Sequence, residues 1–402
     1  MKTLVLITDG LADRPVEALG WKTPLEVARK PNLDEIAKRG ISGLMYTIAP
    51  GVPPGSDTAH LALFGYDPYE VYTGRGPFEA AGAGIDMKPG DIAFRVNYAT
   101  VDDNLVIKDR RAGRIQDTGE LEESLKEIKI PGVEIIFKST MAHRGVLVVR
   151  GEGLSHKVTD SDPHEVGVKV EGSKALDEES EKTAKILNDF SEKAWQILRE
   201  HPFNKKREEK GEMPANYLLL RGCGMVPDLV SFPERFEISA SCVAAAALVK
   251  GVCRMAGMDV PEIEGATGGV NTNLDAKCEA VIKEFETHDL VIMHVKGADE
   301  AGHDGDYDGK VKLIEKLDGV MGKLKGSADI IVMLIDHTTP VSTGDHSGDP
   351  VPVVISGKMV RSDDVEKYDE RSAAKGALGN VLGKDIMPIV SNFMDKAKKF
   401  GA

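Results

Sequence analysis

The chain has 402 residues, a formal net charge of −14 at pH 7 and a hydrophobic fraction of 41%. That length allows two or three domains around a large core. The acidic balance argues against nonspecific nucleic-acid binding and against a role at a membrane surface. The four cysteines show no C-x-x-C spacing, no leader precedes the first strand, and no apolar run approaches the roughly 20 residues of a membrane span. We therefore expect a cytoplasmic protein with reduced thiols and without nucleic-acid or membrane partners.

The first elements are typical of a parallel sheet that is covered on both faces. Residues 3–8 form an unbroken apolar run that ends at Asp9-Gly10, which predicts a buried strand. Helical spacing predicts a helix over 25–38, ended by Gly40. Asp9 would lie at the carboxyl end of the first strand, where open α/β sheets bind ligands, although Asp-Gly is also an ordinary turn.

A Gly/Pro-rich segment over 49–55 leads to Ser56 at the predicted start of a helix. The simplest interpretation is that Ser56 is an N-cap. The functional interpretation uses the free N–H groups and the positive dipole end of a helix N-terminus, which suit a phosphoryl group. A metal that lowered the pKa of the hydroxyl would make Ser56 a nucleophile. The segment alone leaves both interpretations open.

From about residue 86 the pattern changes to shorter, more polar strands. We interpret 86–212 as an inserted α+β domain, so that 1–85 and 213–402 form one discontinuous α/β domain. The predicted elements of the insertion are strands over 91–96, 100–106, 133–137 and 141–149, an amphipathic helix over 177–199 and a solvated connection over 204–212.

The insertion also contains grouped arginines in an otherwise acidic chain. Arg110, Arg111 and Arg114 lie close together, and His143-Arg144 and Asp160–His164 are isolated candidates. The guanidinium fork suits phosphate and carboxylate, so the group predicts an anion site. An ordinary salt-bridged surface is the alternative.

The parallel-sheet pattern resumes at 217–224 and continues towards the end of the chain. Predicted helices cover 241–255, 274–286 and 376–399, and predicted strands cover 289–295, 329–335 and 350–355. Residue types that bind metals lie next to each of these strands. Asp299 and His303 follow the first, Asp336 and His337 follow the second, and His346 precedes the third. Because the carboxyl ends of parallel strands share one edge, we expect these groups to converge with Asp9. Carboxylate and imidazole without thiolate favour manganese or zinc, and magnesium is weaker at histidine.

One segment inside this region has a competing interpretation. Residues 304–315 match the spacing of an EF-hand calcium loop, with Glu315 at the twelfth place, which would make the chain a calcium-binding regulatory protein. The preceding segment is a β-run rather than a helix, and residues from Lys310 onward have helical spacing. A helix there would carry Glu315 away from the loop, so we expect Asp308 to cap a helix instead.

Eight segments together carry a family resemblance that covers essentially the whole chain: Thr8–Gly10, Gly51–Asp57, Gly65–Pro68, Tyr72–Pro77, Asp109–Arg114, Lys296–His303, Asp336–Val341 and His346–Pro352. In these motifs the chain resembles the archaeal-type 2,3-bisphosphoglycerate-independent phosphoglycerate mutases of the alkaline phosphatase superfamily. The resemblance implies an alkaline-phosphatase-like parallel-sheet core with a smaller inserted α+β domain that binds substrate and closes by a hinge.

The resemblance also implies two divalent ions and a phosphorylated serine. The residues that match the ligands of one ion are Asp299, His303 and His346, and those that match the ligands of the other are Asp9, Ser56, Asp336 and His337, with Ser56 as the serine that is phosphorylated. Bacterial long-form relatives carry an Arg-Asp pair whose aspartate is the acid/base. We find no clear pair in a matching setting, and Asp162 is our candidate. The candidate anion-binding residues are Arg110, Arg111, Arg114, His143, Arg144 and Arg221.

The predicted activity is therefore an isomerase that interconverts 3-phosphoglycerate and 2-phosphoglycerate through a phosphoserine, without 2,3-bisphosphoglycerate. Its substrate would be a small phosphorylated acid, and its place would be in glycolysis and gluconeogenesis. A phosphohydrolase or phosphotransferase acting on another small phosphorylated metabolite is the alternative, because metal ligands do not determine the acceptor. Assembly into a homo-oligomer is left open.

Overall fold

The computed structural model describes residues 1–401. The chain forms two compact units. The core unit comprises Met1–Val71 and Leu229–Ala402, and the inserted unit comprises Tyr72–Asp228. The inserted unit therefore begins earlier and ends later than the predicted 86–212.

The strands, in chain order, are β1 (Thr3–Thr8), β2 (Gly40–Tyr46), β3 (Ile92–Val101), β4 (Ile107–Asp109), β5 (Glu134–Ser139), β6 (Arg144–Arg150), β7 (Tyr217–Met225), β8 (Ala240–Val243), β9 (Leu290–Val295), β10 (Ile330–Ile335), β11 (Val351–Gly357) and β12 (Gly379–Leu382). The α-helices are α1 (Pro24–Val27), α2 (Pro31–Lys38), α3 (Ser56–Leu63), α4 (Pro68–Val71), α5 (Gly76–Gly82), α6 (Gly119–Lys126), α7 (Glu181–Glu200), α8 (Pro202–Glu209), α9 (Phe232–Phe236), α10 (Ala247–Met255), α11 (Leu274–Glu284), α12 (Gly297–His303), α13 (Tyr307–Leu324), α14 (Glu370–Ala373) and α15 (Ile386–Phe393). None of the helices in the described part of the chain combines the length and apolar character needed to cross a bilayer.

The core unit is built on a seven-stranded sheet in the order β12-β2-β11-β10-β1-β9-β8. Strand β1 lies between β10 and β9 and is parallel to both. Every residue of these three strands is buried, as the unbroken apolar runs predict for a sheet covered on both faces. The predicted strands over 3–8, 289–295 and 329–335 are confirmed.

Strand β11 is the exception in this sheet. It runs antiparallel to both of its neighbours, β10 and β2. Its first residue therefore lies near the edge at which β1, β9 and β10 end. His346, five positions before β11, reaches that edge because of this reversal. A parallel β11 would have brought His346 to the opposite edge.

The inserted unit is an antiparallel sheet in the order β4-β3-β6-β5, with β7 also paired to β3. Helix α7 buries Leu187, Phe190 and Leu198 in the same apolar core as Phe94 of β3. The interpretation of 217–224 as a return to the parallel sheet is wrong, because β7 pairs antiparallel with β3. The first four residues of β7 are all buried, and such a run has the same unbroken apolar pattern in either kind of sheet.

Several local predictions also differ from the structure. The helix predicted over 25–38 is two helices, because Pro31 disfavours helical backbone at Lys30, whose φ and ψ are −139° and 57°. Strand β2 was not predicted. The strands predicted over 91–96 and 100–106 are one strand, β3. Further differences are β8 at the start of the predicted helix 241–255, β12 inside the predicted helical region 376–399, and α8 at the predicted connection 204–212.

Candidate active site

The ends of three parallel strands gather acidic and imidazole side chains at one edge of the core sheet. Asp9 follows β1 and Asp336 follows β10, and both side chains are fully buried. Asp299 and His303 lie on α12, which begins directly after β9. Thr8, the last residue of β1, pairs with the last residues of β9 and β10, so the three strands end level with one another.

The first cluster at this edge consists of Asp9, Asp336 and His337, whose ligand atoms all lie within 4.8 Å of one another. The Nε2 atom of His337 is 3.3 Å from Asp9 Oδ1 and 3.4 Å from Asp336 Oδ2. These three atoms are buried and have no hydrogen-bond partner among the described residues. Because buried polar atoms are nearly always paired, the cluster fits a cation that would accept all three lone pairs.

The second cluster consists of Asp299, His337 and His346, again with ligand atoms within 4.8 Å of one another. Asp299 Oδ1 is 3.3 Å from His346 Nε2 and 3.3 Å from His303 Nε2. The structure thus gathers the acidic and imidazole ligands that the resemblance implies. His337 belongs to both clusters, so their division between two ions stays a prediction.

The three imidazoles of the site are oriented in the same way. Each turns Nε2 towards a carboxylate and uses Nδ1 for a hydrogen bond within the chain. The Nδ1 partners are Gly344 O for His303 at 2.7 Å, Pro54 O for His346 at 2.7 Å and Thr339 Oγ1 for His337 at 3.1 Å. An Nδ1–H that donates to an oxygen leaves a lone pair on Nε2, which is the tautomer that binds a metal.

Lys296 is a residue of this site that sequence reasoning did not select. Its Nζ is 3.1 Å from Asp9 Oδ2 and also forms an ion pair with Asp299. Burial alone would raise the pKa of Asp9, but Lys296, His294 and His337 together hold it well below its usual value. The available signal was the position of Lys296, three residues before Asp299 at the start of the same helix.

Asp336 shows that the negative charge of this edge is not balanced. Burial, and next the charge of Asp9, raise the pKa of Asp336 well above its usual range. Divalent cations would remove that penalty by keeping the carboxylate ionised.

Ser56 is the first residue of α3, and Gly55 occupies the cap position without a side-chain cap. The N-cap interpretation of Ser56 is therefore wrong. His60, one turn later, has its Nδ1 2.6 Å from Ser56 O and 3.9 Å from Asp336 Oδ2, which places the start of α3 beside the first cluster. Burial lowers the pKa of His60 to about 3, so the neutral ring donates Nδ1–H to the Ser56 carbonyl.

The inserted unit contains the Arg-Asp pair that was not evident in the sequence. Arg110 donates to both carboxylate oxygens of Asp162, at 2.9 and 2.7 Å. Arg221 Nη1 lies 4.0 Å from Asp162 Oδ2. The Asp162 side chain is fully buried, and although burial opposes ionisation, Arg110 holds the pKa of Asp162 below its usual value. Fifty-two positions separate the partners, so no local motif could reveal them.

Further arginines surround this pair, and one of them was missed. Arg95 lies in the middle of β3, and its Nε is 3.3 Å from Glu79 Oε1. Burial, and next the charge of Arg75, lower the pKa of Arg95 to about 10, with smaller contributions from Arg221 and Arg144. A charged residue inside a buried strand was the available signal.

His143 lies in the same positive environment. Burial, and then Arg144, Arg111 and Arg221, lower the pKa of His143 to about 4, so the ring is neutral at pH 7. Arg114 is not part of this group. It lines a separate cavity of about 420 Å³ with Arg207 and Glu212.

The segment that resembles a calcium loop forms no such loop. Asp306 is the N-cap of α13 and accepts a hydrogen bond from Gly309 N at 2.8 Å. The helix predicted from Lys310 onward is confirmed, whereas Asp308 as its cap is wrong by two positions.

Known proteins resemble this chain over its full length. A family model described as 2,3-bisphosphoglycerate-independent phosphoglycerate mutase matches residues 37–204. Proteins of that name from Methanosphaera stadtmanae and Methanothermobacter thermautotrophicus are 52% and 50% identical, with 100% of each chain covered. The chain belongs to the 2,3-bisphosphoglycerate-independent phosphoglycerate mutase family.

Solved structures agree with this membership. A protein from Pyrococcus horikoshii matches with a TM-score of 0.87 and 40% identity over 100% of this chain and 99% of its own. A cofactor-independent phosphoglycerate mutase from Thermoplasma acidophilum matches with a TM-score of 0.77 and 38% identity over 98% and 100%. The family and the α/β fold class predicted from the sequence are confirmed, and an isomerase that needs no 2,3-bisphosphoglycerate follows from the membership.

Proposed function

We propose that this chain interconverts 3-phosphoglycerate and 2-phosphoglycerate through a phosphoserine at Ser56. In this proposal the core unit transfers the phosphoryl group and the inserted unit binds the glycerate. One observation carries the proposal: the buried, unpartnered atoms of Asp9, Asp336 and His337 lie beside the start of α3. That arrangement fits cations next to a serine at a helix N-terminus.

The residues that would hold two divalent cations fall into the sets that the resemblance implies. Asp299, His303 and His346 would bind one, and Asp9, Ser56, Asp336 and His337 would bind the other. When bound, the cations lower the pKa of the serine hydroxyl and neutralise phosphoryl charge. The mixture of carboxylate and imidazole supports manganese or zinc over magnesium.

Ser56 would act as the nucleophile. Its hydroxyl is not used as a helix cap, and Ser56 lies at the N-terminus of α3, where the helix dipole favours negative charge. The Ser56 Oγ–P bond would form as the bond from phosphorus to the substrate oxygen breaks, in line with it, and glycerate would leave with the proton.

Glycerate would then have to return its other hydroxyl to the phosphoserine. Asp162, ionised under the influence of Arg110, is suited to take the proton of that hydroxyl as a general base. Neighbouring arginines, among them Arg221 and Arg144, would hold the glycerate carboxylate. Retention of glycerate is essential, because water that reached the phosphoserine would make the enzyme a phosphatase.

The decisive experiment is Ser56→Ala with acid-quenched, phosphate-labelled 3-phosphoglycerate. We expect neither labelled protein nor mutase turnover, because the only atom that accepts the phosphoryl group in the proposal is gone. The control is Thr58→Ala, which removes a hydroxyl from the same turn that only bonds to Gly55 O at 3.0 Å. Mutase activity that survived in Ser56→Ala would refute the assignment, and predominant phosphate release by the unaltered enzyme would favour a hydrolase.

Two broader features of the proposal follow from the reaction. The substrate is a small phosphorylated acid, and the reaction is a step shared by glycolysis and gluconeogenesis, which supports a cytoplasmic location. A chelator should abolish turnover, and restoration by Mn²⁺ or by Zn²⁺ would identify the effective ion.

A further inference from the structure

Lys310 is a fully buried lysine inside the segment that resembled a calcium loop. It lies in the first turn of α13, just after the helix that carries Asp299 and His303. Its ammonium group donates to three oxygens: Thr339 O at 2.6 Å, Asp13 Oδ2 at 2.8 Å and Ala12 O at 3.3 Å. All three hydrogens of the ammonium group therefore have acceptors.

These acceptors belong to the loops that carry the proposed metal ligands. Ala12 and Asp13 lie on the loop that begins with Asp9, after β1. Thr339 lies two residues after His337, on the loop that follows β10. Asp13 also accepts from Val341 N at 3.2 Å, so the same carboxylate ties the two loops together.

Thr339 connects Lys310 to the ligands themselves. Its backbone oxygen accepts from Lys310, while its hydroxyl donates to Asp299 Oδ1 at 2.8 Å. The same hydroxyl oxygen lies 3.1 Å from His337 Nδ1 and accepts its proton. One threonine thus sets the position of a carboxylate and the tautomer of an imidazole, and Lys310 holds that threonine in place.

We propose that Lys310 is a positioning residue for the cation site, acting through Thr339 on Asp299 and His337. A buried ion pair contributes little net stability when a well-packed apolar pair could replace it. Lys310 joins two ligand-bearing loops to α13, which an apolar side chain cannot do. The inference rests on the proposed function, because it requires Asp299 and His337 to bind a cation.

The test is Mn²⁺ binding to the metal-free protein, measured by isothermal titration calorimetry. Lys310→Met should weaken binding about 10- to 100-fold, the usual loss when a ligand's supporting hydrogen bond is removed. Lys316→Met, on the exposed face of the same helix, should bind as the wild type does. Thr339→Val should resemble Lys310→Met, and the two changes combined should lose little more than either one.

A second variant separates positioning from charge balance. Asp13→Asn combined with Lys310→Met removes both buried charges, so it avoids the unpaired buried carboxylate that would destabilise Lys310→Met alone. If Lys310 only neutralised Asp13, this double variant would recover wild-type Mn²⁺ affinity, and that recovery would overturn the inference. Continued weak binding by a folded double variant, with circular dichroism like that of the wild type, is the expected result.

The same titration separates failure of the proposed cation site from failure of the proposed role of Lys310. Wild-type protein should bind Mn²⁺, and Asp299→Ala should bind it far more weakly. Absence of binding by the wild type would refute the proposed cation site itself. Normal binding by both the wild type and Lys310→Met would refute only the role of Lys310.

Discussion

Two parts of the molecule are assembled in different ways. One is the edge of the core sheet that carries Asp9, Asp336 and the other proposed cation ligands, here the cation edge. The other is the set of arginines around Asp162 in the inserted unit, here the arginine group. At the edge, Asp9 and Asp336 directly follow the strands that place them, so the backbone alone brings them together. In the arginine group, Arg95 and Arg221 lie on paired strands, and Arg110 meets Asp162 only through the tertiary fold. The first site is specified by topology and the second by packing.

The first cluster and the arginine group also differ in their access to water, although His303 of the second cluster is 40% exposed. The side chains of Asp9, Asp336 and His337 are fully buried, whereas Arg110 and Arg221 retain 23% and 20% exposure. The lone pairs of these three side chains cannot reach water, so they need a bound cation as their partner. The exposure of the two arginines is compatible with their proposed role, in which an anion binds and leaves in each turnover.

The largest effect that would sharpen this contrast is expected from Asp162→Asn. The amide cannot act as a base, so mutase kcat should fall by about 10²- to 10⁴-fold. Labelling of Ser56 by 3-phosphoglycerate should persist, because the first transfer depends on the core unit. Asp160→Asn, which removes one charge nearby, is the control, since Asp160 Oδ1 accepts a hydrogen bond from the backbone N–H of Gly222.

Loss of serine labelling in Asp162→Asn would contradict this division of labour. It would mean that the inserted unit takes part in the first transfer as well as in the return of the phosphoryl group. Steady-state rates and labelling in the same quenched samples measure both steps at once.

The same contrast explains what the sequence could predict. Unbroken apolar strands followed by Asp9, Asp299 or Asp336 are local patterns, and a parallel sheet turns them into a site without further information. His346 needed one more fact, the antiparallel direction of β11, which local patterns do not contain. Lys296 was overlooked because the expected metal ligands are carboxylates and imidazoles, and a positively charged lysine is not one of them.

The inserted unit was harder to predict for a physical reason. Pairing in an antiparallel sheet is decided by the register between distant segments, so Arg95 and the Arg110–Asp162 pair have no short-range signature. Arg114 illustrates the opposite situation. It was grouped with Arg110 and Arg111 by proximity in sequence, yet it lines another cavity.

A smaller effect tests directly whether Arg114 binds substrate. Arg221→Met should raise KM for 3-phosphoglycerate about 10- to 100-fold, which corresponds to the roughly 1.5–3 kcal/mol of a hydrogen bond to a charged group. Arg114→Met should leave KM within about twofold of wild type, because surface changes away from a site usually cost under about 0.5 kcal/mol. Initial-rate measurements on both variants check the assignment, and a raised KM in Arg114→Met would return that residue to the site.

The smallest expected effect concerns stability, and it compares buried cations of the two units. Lys277 in the core unit is 1% exposed, donates to His294 O at 2.7 Å and has its pKa lowered by burial from 10.5 to about 8. Arg95 in the inserted unit, with a pKa of about 10, keeps its charge at pH 8. Between pH 8 and 10.5 the unfolded chain holds a proton on Lys277 that the folded chain has released, so this group makes stability rise with pH there.

Lys277→Met should therefore stabilise the protein most at neutral pH. Removal of the buried charge should raise the free energy of unfolding at pH 7 by about 1–2 kcal/mol, once the lost hydrogen bond is subtracted. The advantage over wild type should shrink as the pH rises towards 10, because the wild-type lysine is then neutral in the folded state. Urea titrations of both proteins at pH 7 and 9.5 measure this difference, and Lys283→Met on the exposed face of the same helix controls for the surface. An advantage independent of pH would show that packing, rather than the charge of Lys277, sets its cost.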